Sequence, residues 1–561
     1  MQNKLILILM SVVFTTGPSI AQINSVAPFM SEYQADRMLL RKFYTIETAP
    51  ETSERLQSLF KEYLKKIDEL DFNQMNNGSK ADYILFKRDL NESLALQQRS
   101  DQEFMRLKVY FPFADEIYQL EKQSRRGTAM EGQKIAAQLN EINKTIAKLN
   151  SSLASVPPFD ESTARSAAEI ARDIRSAVRK VYDFYNNYDP MFSWWVSATY
   201  KETDNLLPAY AAALEKHRKA SGTNAQKIEG IPVGRAEILR KLKYEMIAYT
   251  PEELIEMANK EMAWCDQEML QATREMGLKD DWKAALERVK NTYVAPGKQP
   301  ELIVRLYQDA IGFIKTNNLM TIPPLAEETW GMIMMTPERQ LVNPFFTGGD
   351  EISISYPTSE MSYDDKMMSM RGNNPYFSRA TVQHELIPGH NLQYFMARRY
   401  NTHRRYNTPF WMEGWALYWE LLLYDMGFAK TPEEKIGMLF WRKHRCARIL
   451  FSLNFQIGKW SAQECVDYLV DHVGHERANA EGEVRRSVAS WTDPLYQIAY
   501  LTGGLQIMSL KKELVDTKKM TIKAFNDAFI RENSMPVEMA RAILTNQPLE
   551  KNFQAKWKFY N

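Results

Sequence analysis

The spacing of apolar residues along the chain predicts long helices over most of its length. Residues 80–110 and 130–153 carry apolar side chains at intervals of three and four, with charged side chains on the opposite face, which is typical of amphipathic helices. Helical patterns resume at Ala236 and recur towards the C-terminus. Thr250 and Thr431 each precede Pro-Glu-Glu, an order that predicts a capped helix start. The pattern therefore predicts a mainly α fold.

The pattern changes between residues 319 and 363, where short β-like runs replace the helical spacing. Residues 331–336 read GMIMMT and residues 352–357 read ISISYP. We interpret these runs as a small sheet beside the helices that follow. An exposed edge of such a sheet could hold a substrate backbone by strand addition, or the two strands could form a purely structural hairpin. The sequence favours neither alternative.

The first 21 residues have the composition of a signal peptide. A charged start precedes an apolar run of about ten residues, and small residues lead to a predicted cleavage site after Ala21. No cysteine follows Ala21, so a lipid anchor at that position is not indicated. No later apolar run reaches the roughly 18 residues of a spanning helix. We therefore expect export to a periplasm or to the outside of the cell, without stable membrane insertion.

Turn-forming residues at 221–234 indicate a boundary within the mature chain, because this stretch lacks apolar periodicity. An N-terminal helical region is predicted at residues 22–220, and a C-terminal helical region with the candidate chemistry at residues 235–561. The length of 561 residues and the hydrophobic share of 45% allow one large domain or two or three smaller ones.

Composition removes several classes of function. Lys and Arg number 71 against 70 Asp and Glu, and no basic stripe stands out, so nucleic acid is not an expected partner. Three cysteines are too few for a disulfide framework. Aromatic residues crowd residues 182–200, including Trp194 and Trp195, and here core packing is favoured over a ligand cage.

The candidate chemistry begins in residues 384–393, which read HELIPGHNLQ. Imidazole is the commonest protein ligand for zinc, and a His-Glu pair starts the HExxH pattern of metallopeptidases. His390 follows His384 by six positions instead of four, so a straight helix would point the two rings roughly 120° apart. Pro388 and Gly389 are poorly suited to a helix interior, and they predict a break that returns His390 to the face of His384.

Glu413 is the predicted third ligand, on the next helix. It begins EGWALY at residues 413–418, and its interval of 23 residues from His390 fits a helix, a reversal and a return. Two histidines and a glutamate with an open fourth position form a catalytic zinc arrangement. Structural zinc sites favour cysteines, and this stretch has none. Zinc would lower the pKa of a water molecule, and Glu385 could take its proton.

The segments at residues 384–393 and 413–418 resemble those of the bacterial family called domain of unknown function 885. This is a largely helical group, related in style to the gluzincin metallopeptidases, and the resemblance runs over most of the mature chain. It implies zinc on the two histidines and Glu413, with Glu385 as general base. It also implies a multi-helix gluzincin-like fold that encloses a substrate channel suited to short peptides.

Two later segments, EVRR at residues 483–486 and PLYQIAYLTG at residues 494–503, resemble closing motifs of the same family. Arg486 and Tyr500 match, whereas the family's Pro-Gly-Gln core reads Pro-Leu-Tyr here and the interval between the motifs is longer. Arg486 could bind a substrate carboxylate, and Tyr500 could donate a hydrogen bond to a developing oxyanion. The alternative for each residue is a structural polar contact.

The remaining histidines have no predicted function. A second possible metal pair has an i,i+3 spacing, but the intervening glycine and the polar surroundings favour a surface loop; this pair is His472 and His475. Three further histidines are isolated in the sequence, namely His217, His403 and His444.

These observations predict an exported zinc metallopeptidase that hydrolyses short peptides. One alternative is a zinc hydrolase or lyase that acts on a non-peptide bond of a small molecule. Another is a non-catalytic binding protein that retains the fold. The sequence leaves open the end of attack, the side-chain preference and the oligomeric state.

Overall fold

Helices dominate the computed structural model, which describes residues 25–219, 228, 230–340, 345–489 and 492–560. The predicted signal peptide at residues 1–21 lies outside the described residues, as does part of the predicted boundary at residues 221–234. Within the described ranges, no helix is long and apolar enough to cross a membrane. The prediction of a mainly α fold is confirmed.

The N-terminal helices follow one another through short turns. They are α1 (Ala27–Phe43), α2 (Pro50–Asp68), α3 (Asn77–Leu107), α4 (Ala114–Ser124), α5 (Gly132–Ser152), α6 (Glu161–Tyr185) and α7 (Pro190–Lys216). Short 3-10 turns accompany them at Phe72–Gln74, Lys108–Tyr110 and Leu153–Ser155. The amphipathic patterns at residues 80–110 and 130–153 correspond to α3 and α5.

The middle of the chain contains shorter helices and the two strands. Its elements are α8 (Arg235–Tyr244), α9 (Pro251–Glu275), α10 (Trp282–Lys290), α11 (Gln299–Thr316), α12 (Pro324–Thr329), β1 (Gly331–Met334), α13 (Pro337–Gln340), β2 (Glu351–Ile354) and α14 (Tyr363–Gly372).

The C-terminal helices carry the candidate site. They are α15 (Pro375–Glu385), α16 (His390–Ala397), α17 (Pro409–Asp425), α18 (Pro432–Gln456), α19 (Ala462–Tyr468), α20 (Arg477–Val488), α21 (Tyr496–Lys511), α22 (Ile522–Arg531) and α23 (Val537–Leu544). Two π-helical segments extend α19 and α21, at Leu469–Val473 and Lys512–Asp516.

Both predicted helix caps are confirmed. The Thr250 hydroxyl accepts the backbone N–H of Glu253 at 3.2 Å, and the Glu253 carboxylate accepts the backbone N–H of Thr250 at 2.7 Å. Thr431 and Glu434 form the same reciprocal pair at the start of α18. Each pair satisfies backbone donors that a helix start leaves without intrahelical partners.

The two strands form a parallel sheet, with Gly331 opposite Glu351 and Met334 opposite Ile354. The structural hairpin considered from the sequence is therefore wrong, because the strands of a hairpin run antiparallel. The chain leaves β1, passes through α13 and returns to run in the same direction. Thr347 then forms an antiparallel bridge with Ser353, so the segment at 345–348 lies along β2.

Buried apolar side chains of the described residues form two clusters. The smaller cluster lies among α4, α5, α6 and α7, with the end of α3 packed against it. The larger cluster joins α1, α2 and the start of α3 to the helices from α8 onwards. Its largest fully buried side chains include Trp415 and Trp419 of α17, so the helix that carries Glu413 runs through the centre of this core.

The aromatic residues at 182–200 are only partly core residues. Phe192 is fully buried and Tyr185 nearly so, as predicted. Trp194 and Tyr188 are 80% and 84% exposed and Trp195 is 39% exposed, so the prediction of core packing is wrong for these three residues. Phe192 and Val196 lie one helical turn apart on the inner face of α7, which leaves the intervening Trp194 on the outer face.

Helices α17 and α21 meet backbone against backbone. A Cβ atom added at Gly414 would come within 2.7 Å of the carbonyl carbon of Gly503, and one at Gly503 would come within 2.2 Å of the Phe410 carbonyl oxygen. No side chain fits at either position. Glu413 directly precedes Gly414, and Tyr500 and Tyr496 lie one and two helical turns before Gly503. The contact between the glycines therefore fixes the distance between Glu413 and these two tyrosines.

Candidate metal centre

The helix that carries His384 breaks directly after Glu385, as predicted. Helix α15 ends at Glu385, the Ile387–Pro388 peptide is cis, and α16 begins at His390. At the break the chain folds back on itself, and the backbone N–H of Gly389 donates to the carbonyl of Gln383 at 3.0 Å. A Cβ at Gly389 would lie 1.9 Å from the His384 carbonyl oxygen, so this close approach requires glycine.

The break brings the two imidazole rings together, with their centroids 4.8 Å apart and their planes nearly perpendicular. Glu413 of α17 faces both rings. Its Oε2 lies 3.5 Å from Nε2 of His384 and 3.3 Å from Nε2 of His390. Ligand atoms at zinc bond lengths of about 2.0–2.1 Å in a tetrahedron stand about 3.3 Å apart. The two distances from Glu413 match that spacing, and all three residues are buried.

The electrostatics of the triad also suit a cation. Burial raises the pKa of Glu413, but His390 and His384 outweigh burial and hold that pKa well below its ordinary value. Oε2 of Glu413 is buried, and no hydrogen-bond donor among the described residues reaches it. A buried, ionised oxygen without a donor is costly, and a metal ion would satisfy it. The donor set of two imidazoles and one carboxylate fits zinc.

Further side chains orient the two histidines. Glu420 accepts a hydrogen bond from Nδ1 of His384 at 2.6 Å, which turns the lone pair of Nε2 towards Glu413. Gln393 donates its amide to the Trp411 carbonyl, so its Oε1 is left to accept from Nδ1 of His390 at 3.3 Å. Glu420 was not predicted from the sequence. It lies seven residues after Glu413, two helical turns along the same face, and this spacing was a usable signal.

A hydrogen bond across the core holds the break in position. The indole N–H of Trp415 donates to the Pro388 carbonyl at 2.8 Å. Trp415 is fully buried on α17, two residues after Glu413. The same helix therefore supplies the third member of the triad and fixes the loop between the first two.

Glu385 lies beside the triad and lines the same cavity. Burial raises the pKa of its carboxyl, and the neighbouring histidines oppose that effect. A Cβ at Gly348 would come within 2.4 Å of the Glu385 carboxylate, so the segment at 345–348 packs directly against it. A desolvated carboxylate whose pKa is raised towards neutrality is suited to general-base work.

Two tyrosines of α21 complete this side of the cavity. The ring of Tyr500 lies parallel to the His384 ring with 6.1 Å between centroids, and burial raises the pKa of Tyr500 to about 12. Its hydroxyl donates to that of Tyr496 at 3.3 Å, and Tyr496 donates to Oε1 of Glu413. Tyr496 stands where the sequence departs from the family motif, so no role was predicted for it.

Three arginines form another part of the cavity lining. Arg445 and Arg448 of α18 stack on the Tyr500 ring, with guanidinium carbons 4.6 Å and 4.4 Å from its centroid. Arg486 of α20 donates to Glu483 at 2.9 Å, and Arg448 donates to the same carboxylate at 2.7 Å. Arg486 was predicted from the sequence, whereas the two arginines of α18 were not.

The predicted surface loop at His475 is wrong. His475 is buried, and its Nε2 lies 2.9 Å from Nδ1 of His444, which is also fully buried. His444 is thus isolated in the sequence but not in space. The ring of His472 instead stacks on Tyr468. His403 pairs with Asp82 at 3.0 Å and supports the packing of the N-terminal helices.

All six residues predicted for the site line one cavity with a volume of about 240 Å³. They are His384, Glu385, His390, Glu413, Arg486 and Tyr500. In the described part of the chain, the triad is the group of His, Cys, Asp and Glu side chains whose geometry could hold a metal ion, with its ligand atoms within 4.8 Å of one another. The fold therefore brings distant segments to one point.

A comparison with known protein families identifies the family of this chain. The family described as "Bacterial protein of unknown function (DUF885)" matches residues 45–544. The chain belongs to this family. The resemblance inferred from two motifs is thereby confirmed over most of the sequence. The description of the DUF885 family states no function, and a comparison with curated proteins finds no match.

Two solved structures share the fold of this DUF885 member. A candidate lipoprotein of unknown function from Shewanella oneidensis is 16% identical, with a TM-score of 0.64 over 93% of this chain and 100% of that chain. A candidate lipoprotein from Colwellia psychrerythraea is 14% identical, with a TM-score of 0.58 over 93% of this chain and 99% of that chain. At these identities the likeness concerns the fold alone.

Proposed function

We propose that this protein is a zinc-dependent metallopeptidase that hydrolyses short peptides. The observation that carries the proposal is the buried oxygen of Glu413, which has no donor within the described residues and lies 3.3 Å and 3.5 Å from two imidazole nitrogens. Glu385 beside it supplies a base in the same cavity. Metal ligands and a base together favour hydrolysis over passive binding.

The roles of the side chains follow from their contacts. Zinc held by the triad would supply Lewis acidity, which lowers the pKa of a water molecule and polarises a substrate carbonyl. Glu385 takes a proton from water, whose oxygen joins the carbonyl carbon. As the C–N bond breaks, Glu385 passes that proton to the leaving nitrogen. Tyr500 donates a hydrogen bond to the developing oxyanion, and Tyr496 keeps Glu413 oriented.

The surroundings of the cavity support peptides as substrates. Met412 and Tyr496 also line a neighbouring cavity of about 810 Å³, so an extended ligand has room beyond the triad. The segment at 345–348 runs along β2 and lines the cavity, which offers an extended backbone beside the substrate. Strand addition along this segment would align a peptide with Glu385.

We also propose that the protein is exported and works in the cell envelope or outside it. The signal-peptide pattern at residues 1–21 supports export. The two structural relatives described as candidate lipoproteins are consistent with an envelope location.

The test combines metal analysis with one substitution. The purified protein should contain about one zinc per chain and should digest a peptide library, and a chelator should abolish the digestion. Glu385→Gln should keep the zinc and lose at least about 100-fold in turnover, in line with a missing general base. Glu550→Gln, which alters an exposed carboxylate outside the cavity, should change neither property.

The outcome separates the alternatives. A zinc-loaded protein that cleaves no peptide but hydrolyses a small ester or amide would point to another zinc hydrolase. If binding of a small molecule persists in Glu385→Gln and no turnover of any substrate is found in the unchanged chain, the protein is a binder. Absence of bound zinc in the freshly purified protein would refute the proposal.

A further inference from the structure

The arginine wall of the cavity has more hydrogen-bonding capacity than the protein uses. Arg445, Arg448 and Arg486 all line the cavity. Each has a buried nitrogen with no acceptor among the described residues, namely Nε of Arg445, Nη1 of Arg448 and Nε of Arg486. Arg448 is only 4% exposed. A buried N–H group without an acceptor is costly, and each of these three arginines has one.

The charges of this wall do not balance within it. Glu420 accepts from Arg445 at 3.2 Å, and Glu483 accepts from both Arg448 and Arg486. Three guanidinium groups therefore face two carboxylates. Glu385 and Glu413 line the same cavity, but zinc in the proposed site would offset their charges and leave the arginines favourable to one added anion.

The wall lies close to the reacting centre. The Tyr500 ring lies next to both, with its centroid 6.1 Å from the His384 ring and 4.4 Å from the Arg448 guanidinium carbon. In a peptide, the carboxylate at the C-terminus is only a few bonds from the last peptide bonds. An anion bound at the wall would therefore place one of those bonds beside the triad.

We propose that the arginine wall binds the C-terminal carboxylate of a peptide, so that the protein removes residues from the carboxyl end. This inference rests on the proposed peptidase function. A planar guanidinium fork matches a carboxylate in a bidentate contact. Aspartate and glutamate side chains offer the same group, and the experiment separates these sources.

Binding is measured first, because it does not depend on catalysis. The full-length Glu385→Gln protein, as purified with its metal, is titrated calorimetrically with three probes. They are N-acetyl-trialanine with a free carboxylate, its C-terminal amide, and N-acetyl-Ala-Ala-Glu amide, whose only carboxylate is on a side chain. The free acid should bind about 10- to 100-fold more tightly than either amide, the range expected for a charged hydrogen bond.

Substitution then assigns the preference to the wall. Arg486→Gln should remove most of the advantage of the free acid and leave the affinity for the amide unchanged. Arg485→Gln removes the same charge from the adjacent, exposed position and should leave the preference intact. Arg448→Lys keeps the charge but loses the planar fork, and it should weaken the preference partially. Circular dichroism of each variant checks that it is folded.

Hydrolysis by the unchanged chain gives the second readout. Mass spectrometry should find products shortened from the carboxyl end, and amidated peptides should be cleaved at least about tenfold more slowly. If peptides are cleaved equally well with and without a free carboxylate, the peptidase proposal stands and the carboxylate inference fails. If no peptide is cleaved but the free acid binds selectively, the wall is supported and the peptidase proposal fails. Equal binding of the free acid and its amide, no binding of either, or tight binding of the glutamate amide alone would overturn the inference.

Discussion

Replacing Gly389 by alanine would perturb the metal centre at the point where the chain breaks between the two histidines. The added Cβ would lie 1.9 Å from the His384 carbonyl oxygen and 2.7 Å from the Gln383 carbonyl oxygen. Real Cβ atoms keep about 3.0 Å from such neighbours, so the closer contact is short by about 1 Å. Both obstacles are backbone atoms, which cannot swing aside like a flexible side chain.

The size of this displacement decides the outcome. Metal sites hold their ligand distances to about 0.2 Å, so a shift of about 1 Å between His384 and His390 would remove one ligand. Loss of a group that merely orients a ligand costs about 10- to 100-fold in metal affinity. We therefore expect Gly389→Ala to lower zinc affinity by at least about 100-fold. The fold should survive, because overpacking costs about 1–3 kcal/mol against a total stability of about 5–15 kcal/mol.

Zinc affinity is measured by competition with a chromophoric chelator, and stability by urea denaturation. Gly312→Ala is the matched control, because a Cβ there meets no atom within 4 Å and the residue lies inside α11. That control should bind zinc normally and gain about 0.5–1 kcal/mol, since alanine is a better helix former than glycine. If Gly389→Ala bound zinc within about twofold of the unchanged chain, the explanation of the break would be refuted.

Two further substitutions test other parts of the structure. Glu420→Gln keeps the shape of the side chain but removes the charge that faces Nδ1 of His384, so zinc affinity should fall about 10- to 100-fold in the same titration, with Glu550→Gln unchanged. Glu245 accepts a hydrogen bond from Thr408, and burial raises its pKa from 4.5 to about 7. Between these values the native state binds more protons than the unfolded state, so stability falls as pH rises through this window. Glu245→Gln should remove that loss and gain about 3 kcal/mol near pH 8 relative to pH 4, as urea denaturation at several pH values would measure.

Each of these two predictions has a result that would contradict it. Unchanged zinc binding in Glu420→Gln would mean that His384 does not depend on that carboxylate for its orientation. A stability difference between Glu245→Gln and the unchanged chain that stays constant with pH would show that Glu245 does not titrate in this range.

The break between α15 and α16 was predictable because its cause is local. Pro388 and Gly389 disfavour a helix wherever they occur, and the i+6 spacing of the histidines is satisfied only if the helix breaks there. The capping boxes at Thr250 and Thr431 were predictable for the same reason, since all their atoms belong to one turn.

Features that depend on distant segments were not predictable in this way. The parallel pairing of β1 with β2 depends on the path of the chain through α13, which local patterns do not reveal. The burial of His475 depends on His444, 31 positions away in sequence. Arg445 and Arg448 lie one turn apart on α18, but only the fold shows that this turn faces Tyr500.

The outward position of Trp194 shows a second limit of prediction from the sequence. Aromatic content predicts burial on average, yet the face of α7 on which a residue lies decides its exposure, and neighbouring positions have opposite outcomes. Glu420 could have been predicted from the sequence, because it lies seven residues, or two helical turns, after Glu413.

The contact between Gly414 and Gly503 has a practical consequence for engineering. Since bare backbone sets the separation of α17 and α21, neither position can be diversified alone without forcing the two helices apart. Libraries that aim to alter substrate preference are better placed at Met412 and Tyr394, which line the cavity from helices α17 and α16. Such variants would reshape the room for a ligand while the spacing of Glu413 and its tyrosine partners stays constant.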